Sequence, residues 1–359
     1  MKHNFKNFNI QKEKLIPIDR FIEKALFEPN KGYYSSKLPF GSKGDFITAP
    51  TISNLFSEII SVWIVSTWEK LGKPKKFNLV ELGPGDGSLA KVMTDTFKKF
   101  PAFNKATNIF MYEKSEFLKK IQKKNINNTS VKWITNFNNI KKGPVIFFGN
   151  EFFDAIPIKQ FNKVGREVLE KCLKINKYGL KEYYKKASKE DVSNIKSYKT
   201  LKKLKFIEFP KLGFEELDKI IKKINHLSGG ILLIDYGYLG ELNKSTLQAV
   251  MKNKKIDIKT SLSKNIGEAD ITSLVNFKLL KEFFLKNNLS VKKIVSQKFF
   301  LERMGIIERS LILKKNLSFD QKNYMDDTLT RLLHKKTMGN LFKVIFAFKS
   351  KKDNFLGFN

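Results

Sequence analysis

The chain has 359 residues, with 68 Lys+Arg against 35 Asp+Glu and a formal net charge of +33. Its 42% apolar residues and 33 Phe exclude a disordered polymer, 20 Gly and 10 Pro are too few for a collagen-like one, and the length allows one large or two ordinary domains. A single cysteine, Cys172, excludes an internal disulfide framework and fits a reducing compartment; three scattered histidines (His3, His226, His334) argue against a metal site; and no apolar run reaches the roughly 18 residues of a membrane span.

Met1–Lys14 is basic but lacks the apolar segment of a secretory signal and the Arg-rich pattern of a presequence, so it reads as a polar lead-in to a cytoplasmic protein. Ile18–Phe27 has a helical apolar period, and Pro29 lies just beyond it. A turn-rich stretch, Asn30–Pro50, is followed by a second predicted helix over Ile52–Leu71, closed by Gly72 and Pro74. From Phe77 short apolar runs alternate with helical stretches. Strand Phe77–Leu82 leads to helix Ser88–Phe100, strand Asn108–Tyr112 to helix Ser115–Lys123, and strands follow at Val131–Ile134, Val145–Phe148 and Ile231–Ile234. That alternation predicts an α/β fold with a mostly parallel sheet and helices on both faces.

Before the fifth strand lies an insertion, Lys159–Asn225. Its first half alternates like a hairpin around Asn176–Gly179, and its second half is Lys-rich and helical or mobile. Leu341–Phe348 reads as a final strand completing the sheet. The predicted organisation is therefore 1–76 as a helical N-terminal extension with a substrate-side loop, 77–158 as the ligand-binding half of the sheet domain, 159–228 as the insertion and 229–359 as its remainder.

The most informative stretch is Val80-Glu81-Leu82-Gly83-Pro84-Gly85-Asp86-Gly87, a strand running into an acid, three glycines and a helix. Glycines let backbone approach a ligand, and the helix start offers N–H groups. The spacing is G-x-G-x-G rather than the dinucleotide G-x-G-x-x-G, and Glu81 suits an ammonium better than a pyrophosphate. Glu113 ends the second strand, where a carboxylate can accept from both hydroxyls of a ribose. An acid, three glycines and a second-strand acid in that order indicate S-adenosylmethionine, a nucleoside with an amino-acid end. Taken singly, these residues also read as an ordinary Gly-rich turn with a surface Glu.

With these residues in place, the chain resembles the MidA-like family of S-adenosylmethionine-dependent methyltransferases, whose mitochondrial members methylate an arginine of a respiratory complex I subunit during assembly. The resemblance runs through Gly32-Tyr33-Tyr34, Gly44-Asp45-Phe46-Ile47-Thr48-Ala49-Pro50, the Glu81–Gly87 loop and Tyr112-Glu113-Lys114-Ser115. It continues through Asn150-Glu151-Phe152-Phe153-Asp154-Ala155-Ile156-Pro157, Ile234-Asp235-Tyr236-Gly237, Gly267 to Thr272, Gln297 to Gly305 and Met338 to Lys343. It implies a Rossmann-like class I methyltransferase fold and a protein substrate. Three positions depart from the family pattern: Asp86 stands where its loop usually has Arg, Thr51 where Glu is common, and Val92 near a usual Asp.

Glu81, Gly83, Gly85, Gly87 and Glu113 are thus the expected cofactor-binding residues. Methyl transfer requires positioning rather than a nucleophilic side chain, in keeping with the lack of Cys/His and Ser/His motifs. An arginine acceptor needs a carboxylate to orient its guanidinium. Glu151, after the fourth strand where α/β crevices open, is the first choice, with Asn150 beside it and Asp154 second. Phe152 and Phe153 could wall the pocket. The alternative is that Asp154 caps a helix before Pro157 and both Phe are core. Tyr33, Tyr34, Asp45, Asp235 and Tyr236 are the substrate-side candidates, against an equally ordinary role as loop residues.

Competing readings keep the cofactor with a small-molecule or nucleic-acid acceptor, or make the chain a non-catalytic assembly chaperone, for which Asp86 is the best hint. No N-P-P-[YF] string follows the fourth strand, which disfavours base-amine methylation. The charge adds little to a nucleic-acid reading. Only five of the 68 basic residues are Arg, and Lys, Asn, Ile and Phe, all AT-rich in codons, abound along the chain, so genome composition explains the surplus. The expectation is a small acidic crevice in a lysine-rich shell, placed in a bacterial cytoplasm, or in the mitochondrial matrix if the source is eukaryotic.

Overall fold

The computed structural model describes residues 15–37, 49, 54–176, 179–251, 254–256 and 266–359. It divides into two compact units. One comprises 47–152, 219–238 and 284–359; the other comprises 1–46, 153–218 and 239–283.

The first unit is built on α1 (Asn54–Lys70), β1 (Phe77–Leu82), α2 (Ser88–Phe97), α3 (Pro101–Ala106), β2 (Thr107–Tyr112), α4 (Glu116–Ile126), β3 (Val131–Ile134), β4 (Val145–Asn150), β5 (Gly229–Tyr238), α5 (Gln297–Arg303), α6 (Ile306–Lys314), α7 (Phe319–Leu333), α8 (Met338–Leu341) and β6 (Phe342–Lys349). Its strands lie in the order β3-β2-β1-β4-β5-β6. β1 to β5 are mutually parallel and β6 runs antiparallel to β5, from Gly229↔Lys349 to Tyr236↔Phe342. The expected Rossmann-like α/β sheet is therefore present, and the last strand closes it. β1 is buried along its whole length and β4 in all but its last residue, the signature of parallel strands covered on both faces. Strand order reverses between β1 and β4, so a crevice opens at their carboxyl ends.

Most predicted elements fall within a residue or two of their expected bounds; the helix expected over Ser115–Lys123 runs on to Ile126 and the strand expected over Ile231–Ile234 to Tyr238, and two regions differ in kind. The helix expected over Ser88–Phe100 stops at Phe97. Phe100 precedes Pro101 and leaves the helical conformation (φ −124°, ψ 76°), after which Pro101 opens a new helix at its first position. The Lys-rich half of the insertion contains a strand, Phe206–Phe209, flanked by helices Lys189–Ser197 and Lys211–Leu227. Alternation in Phe-Ile-Glu-Phe was the sequence signal for it; Ile207 and Phe209 are buried and the strand pairs with Lys159–Asn162.

In the second unit, Glu167–Asn176 and Gly179–Lys186 form the predicted hairpin, with Asn176 opposite Gly179. A core of Ile16, Phe21, Leu26, Tyr33 and Leu173 holds helix Ile18–Phe27 to this unit. Within its sheet, Lys159 Nζ lies 2.8 Å from Glu170 and 3.0 Å from Asp191, all three largely buried. Burial pulls the Lys159 pKa down, but hydrogen bonds to the two carboxylates prevail and raise it. Cys172 is buried, and burial pushes its thiol up to about 11.

Candidate cofactor and acceptor site

At the end of β1 the chain must turn sharply beneath a second loop. Gly83 has φ +60°, and a Cβ there would stand 3.1 Å from Phe152 Cδ2, so the turn meets the Phe152 ring at bare-backbone distance. Gly87 has φ +85°, and a Cβ there would press on Ile126 and on the α4 backbone at Gln122. Two glycines of the motif are thus fixed by packing from the loop after β4 and from α4. Asp86 carries the turn into α2: its Oδ1 accepts from Ser88 N at 2.9 Å, capping the helix start where the acid also favours the dipole.

Glu81 is 4% exposed, and its Oε2 has no hydrogen-bond partner among the described residues. Burial, and secondarily the Asp86 charge, push its pKa from 4.5 up to about 8. Among the described residues no cation stands beside this carboxylate and one of its oxygens is idle, an arrangement that suits a cationic donor from a ligand. The amino group of S-adenosylmethionine has the required charge.

Glu113 follows β2. Its Oε1 accepts from Ser115 N at 2.7 Å and its Oε2 from Gln122 Nε2 at 3.0 Å. Burial raises its pKa, opposed by these hydrogen bonds. Each oxygen keeps a second lone pair, enough to accept from ribose hydroxyls.

Gln122, which the sequence reading missed, joins the two halves of the site. Its Nε2 donates both to Gly85 O at 2.9 Å and to Glu113, while its Oε1 accepts from Trp133 Nε1 at 2.9 Å. The indole can only donate, so it fixes which way the amide faces. Three residues along α4, Asn125 Nδ2 donates to Asp86 O at 2.9 Å. One face of α4 thereby holds the glycine loop by its carbonyls and the ribose-side acid by its carboxylate. The Gln-x-x-Asn spacing on a helix was the available signal.

β4 ends in Asn150-Glu151. Glu151 has φ +50°, an uncommon conformation for a residue with a Cβ, and its N–H donates to Ile234 O at 2.9 Å. Asn150 Nδ2 donates to Glu151 Oε1 at 3.1 Å, while Asn150 Oδ1 is buried without a hydrogen-bond partner among the described residues. On β5, Asp235 is buried and its Oδ1 accepts from Tyr236 N at 2.9 Å; the Tyr236 ring packs 4.0 Å from Phe342. This unit therefore brings Glu81, Gly83, Gly85, Gly87, Glu113, Asn150, Glu151, Asp235 and Tyr236 to the carboxyl edge of one sheet.

The remaining candidates belong to the other unit. Asp154 lies in a turn, with no helix before Pro157 for it to cap, and its carbonyl accepts from Ser273 N at 3.0 Å. Tyr34 donates to Asp270 Oδ2 at 2.9 Å; burial, then the Asp270 and Asp154 charges, raise its pKa well above the usual value. Tyr33 is fully buried and edge-on to Tyr34. Phe153 packs against Gly213 and Phe214 of the same unit. Asp45 and Thr51 lie outside the described residues. Among the described residues no group of three His, Cys, Asp or Glu is placed to hold a metal, and no helix is long and apolar enough to cross a membrane.

A reversing parallel sheet, a glycine turn at the end of β1, an unsatisfied buried acid before it and a second acid after β2 define a class I S-adenosylmethionine-dependent methyltransferase site. A family model described as "Putative S-adenosyl-L-methionine-dependent methyltransferase" matches residues 59–295. The chain belongs to that family and is an S-adenosylmethionine-dependent methyltransferase. Curated relatives include the Drosophila melanogaster "Protein arginine methyltransferase NDUFAF7 homolog, mitochondrial", 28% identical over 93% of this chain and 81% of the relative. They also include the Homo sapiens "Protein arginine methyltransferase NDUFAF7, mitochondrial", 27% identical over 91% and 78%. A Burkholderia thailandensis protein described as a "COG1565 superfamily member and likely methyl transferase", bound to S-adenosyl-homocysteine, shares the fold, with a TM-score of 0.79 at 21% identity over 97% of this chain and 91% of that one.

Proposed function

We propose that the chain is a protein arginine N-methyltransferase whose acceptor is a respiratory complex I subunit. The observation that carries the arginine reading is Glu151, a carboxylate held at the end of β4 by Asn150 and by an unusual backbone conformation, one strand from the glycine turn. The names of the curated relatives point the same way.

Glu81 would hold the cofactor's amino group, the carboxylate of Glu113 its ribose, and the Gly83–Gly87 turn its amino-acid backbone. Bound there, S-adenosylmethionine would supply a methyl on sulfonium, with the N–C bond forming as the C–S bond breaks, sulfur keeping the electron pair and the proton of the acceptor nitrogen passing to water. Glu151 pairs with the acceptor guanidinium, holds one nitrogen toward the methyl and concentrates positive charge on the far side. Phe152, packed under Gly83, keeps water from the approach. The compartment follows the source, matrix in a eukaryote and cytoplasm in a bacterium.

The test is incubation of the purified chain with isotope-labelled S-adenosylmethionine and first a membrane-depleted lysate, then a membrane fraction, with the label located by mass spectrometry. Label on an arginine of a complex I subunit is the expected result. Label only in RNA or metabolites overturns the reading.

A further inference from the structure

At the carboxyl edge of the first unit, beside β5, lies a cavity of about 440 Å³ lined by Tyr236, Asp327, Thr330, Arg331, Met338 and Leu341. Its floor is apolar: Met338 is buried, and the Tyr236 ring is braced on Phe342. Its rim is charged, because Asp327 and Arg331 stand one turn apart on α7. The neighbouring Asp326 is engaged by Lys314, whereas Asp327 is exposed and has no ion-pair partner among the described residues.

Strand order decides what this cavity can serve. Along the edge the sequence is β1, β4, β5, β6, so Glu151 at the end of β4 stands between the glycine turn of β1 and Tyr236 of β5. Ile234 is the register partner of Asn150, and Tyr236 is two residues further, roughly 7 Å along a strand about 4.8 Å away. In-line displacement needs the acceptor nitrogen to approach from the side opposite the leaving sulfur. With the donor at β1 and β2 and the orienting carboxylate on β4, the chain carrying the acceptor comes from the β5–β6 side, where the cavity lies.

Building on the arginine reading above, we propose that this cavity is the subsite for the peptide flanking the target arginine. It takes an apolar side chain against Tyr236, Met338 and Leu341, and a basic neighbour on Asp327. In a chain of net charge +33 a cationic acceptor is repelled in general, and an acid at the rim of an apolar hollow gives it one place to dock.

Synthetic peptides with one central arginine, varied in their flanks, test this with labelled S-adenosylmethionine. Thr330→Arg and Leu341→Asp alter exposed positions and so leave the fold intact, which an unchanged S-adenosylmethionine Kd verifies. The expected result is a KM for peptide raised about tenfold or more, a binding loss of about 1.4 kcal/mol, with kcat within about twofold. Asp327→Lys should invert the flank preference from basic to acidic, a change that a merely structural role would not produce. If the wild type methylates arginine peptides and all three variants keep its KM and preference, the subsite is refuted while the arginine reading stands. If S-adenosylmethionine binds but the wild type labels no arginine in peptide or lysate, the arginine reading fails and takes the subsite with it.

Discussion

Both units bury carboxylates, and they treat them in opposite ways. In the insertion-bearing unit Glu170 and Asp191 close on Lys159, and the same lysine lowers the pKa of the nearby buried Asp19 against the desolvation that raises it. In the sheet unit Glu81 has desolvation and the Asp86 charge acting on it, both in the same direction, and no lysine among the described residues. The first arrangement sets its carboxylates against lysine within the fold; the second has no such partner among the described residues, which suits a cationic ligand.

The largest effect that separates the two is expected from Lys159→Met. It leaves the buried Asp191 with no lysine and Glu170 with Lys185 alone, and should cost about 3 kcal/mol, seen as a large fall in urea midpoint. S-adenosylmethionine Kd measured on the folded fraction should stay within about twofold. A tenfold change in Kd would show that the buried pair is not merely structural. Glu81→Gln should do the reverse. Losing the charge-assisted bond to the ligand costs about 1.5–3 kcal/mol, a roughly 10–150-fold rise in Kd by calorimetry, with no loss of stability.

pH dependence carries its own sign. The folded pKa of Glu81, about 8, lies above its ordinary 4.5, so the group's contribution to stability is present below about 4.5 and lost as pH rises through about 8. Melting of the ligand-free protein should decline over that window, and Glu81→Gln should remove that part of the slope. Affinity for S-adenosylmethionine should rise over the same window, since the ammonium needs the carboxylate form. A flat affinity profile would remove Glu81 from the amino-group role.

What the sequence discloses follows from how local each determinant is. The Glu81–Gly87 turn is legible because its geometry is a property of the backbone and its glycines are contiguous. The hairpin at Asn176–Gly179 and the strands β1 to β6 are legible through apolar runs of the right length. Gln122 is not, because its partners Gly85, Glu113 and Trp133 are 37, 9 and 11 residues away on three different elements. Lys159 is hidden among 62 other lysines, and only pairing across 11 and 32 residues distinguishes it. Asp154 and Glu151, three residues apart in one motif, fall in different compact units, a division that a string of letters does not mark.

Gln122→Met tests whether the sheet unit's site is held from α4. It keeps the bulk of the side chain but leaves Gly85 O, Trp133 Nε1 and one lone pair of Glu113 without their partner, which should cost about 1–3 kcal/mol. Because two of the three groups belong to the site, Kd for S-adenosylmethionine should rise as stability falls, whereas Lys159→Met lowers stability alone. Equal stability losses with equal, unchanged Kd values would reduce Gln122 to a packing residue.

The smallest effect expected, and the sharpest, is from Asp86→Asn. Asparagine still caps α2 through Ser88 N, so helix stability should move by no more than about 0.5 kcal/mol. Removing the like charge lowers the pKa of Glu81, which moves the rise of S-adenosylmethionine affinity to lower pH by a fraction of a unit. At neutral pH Asp86→Asn should therefore bind the cofactor slightly better than the wild type, since more Glu81 is already ionised. The opposite result, weaker binding at neutral pH with the pH profile unmoved, would mean that Asp86 contacts the ligand's positive charge directly. The departure from the family's Arg would then be a substitution in the binding surface rather than in the electrostatics behind it.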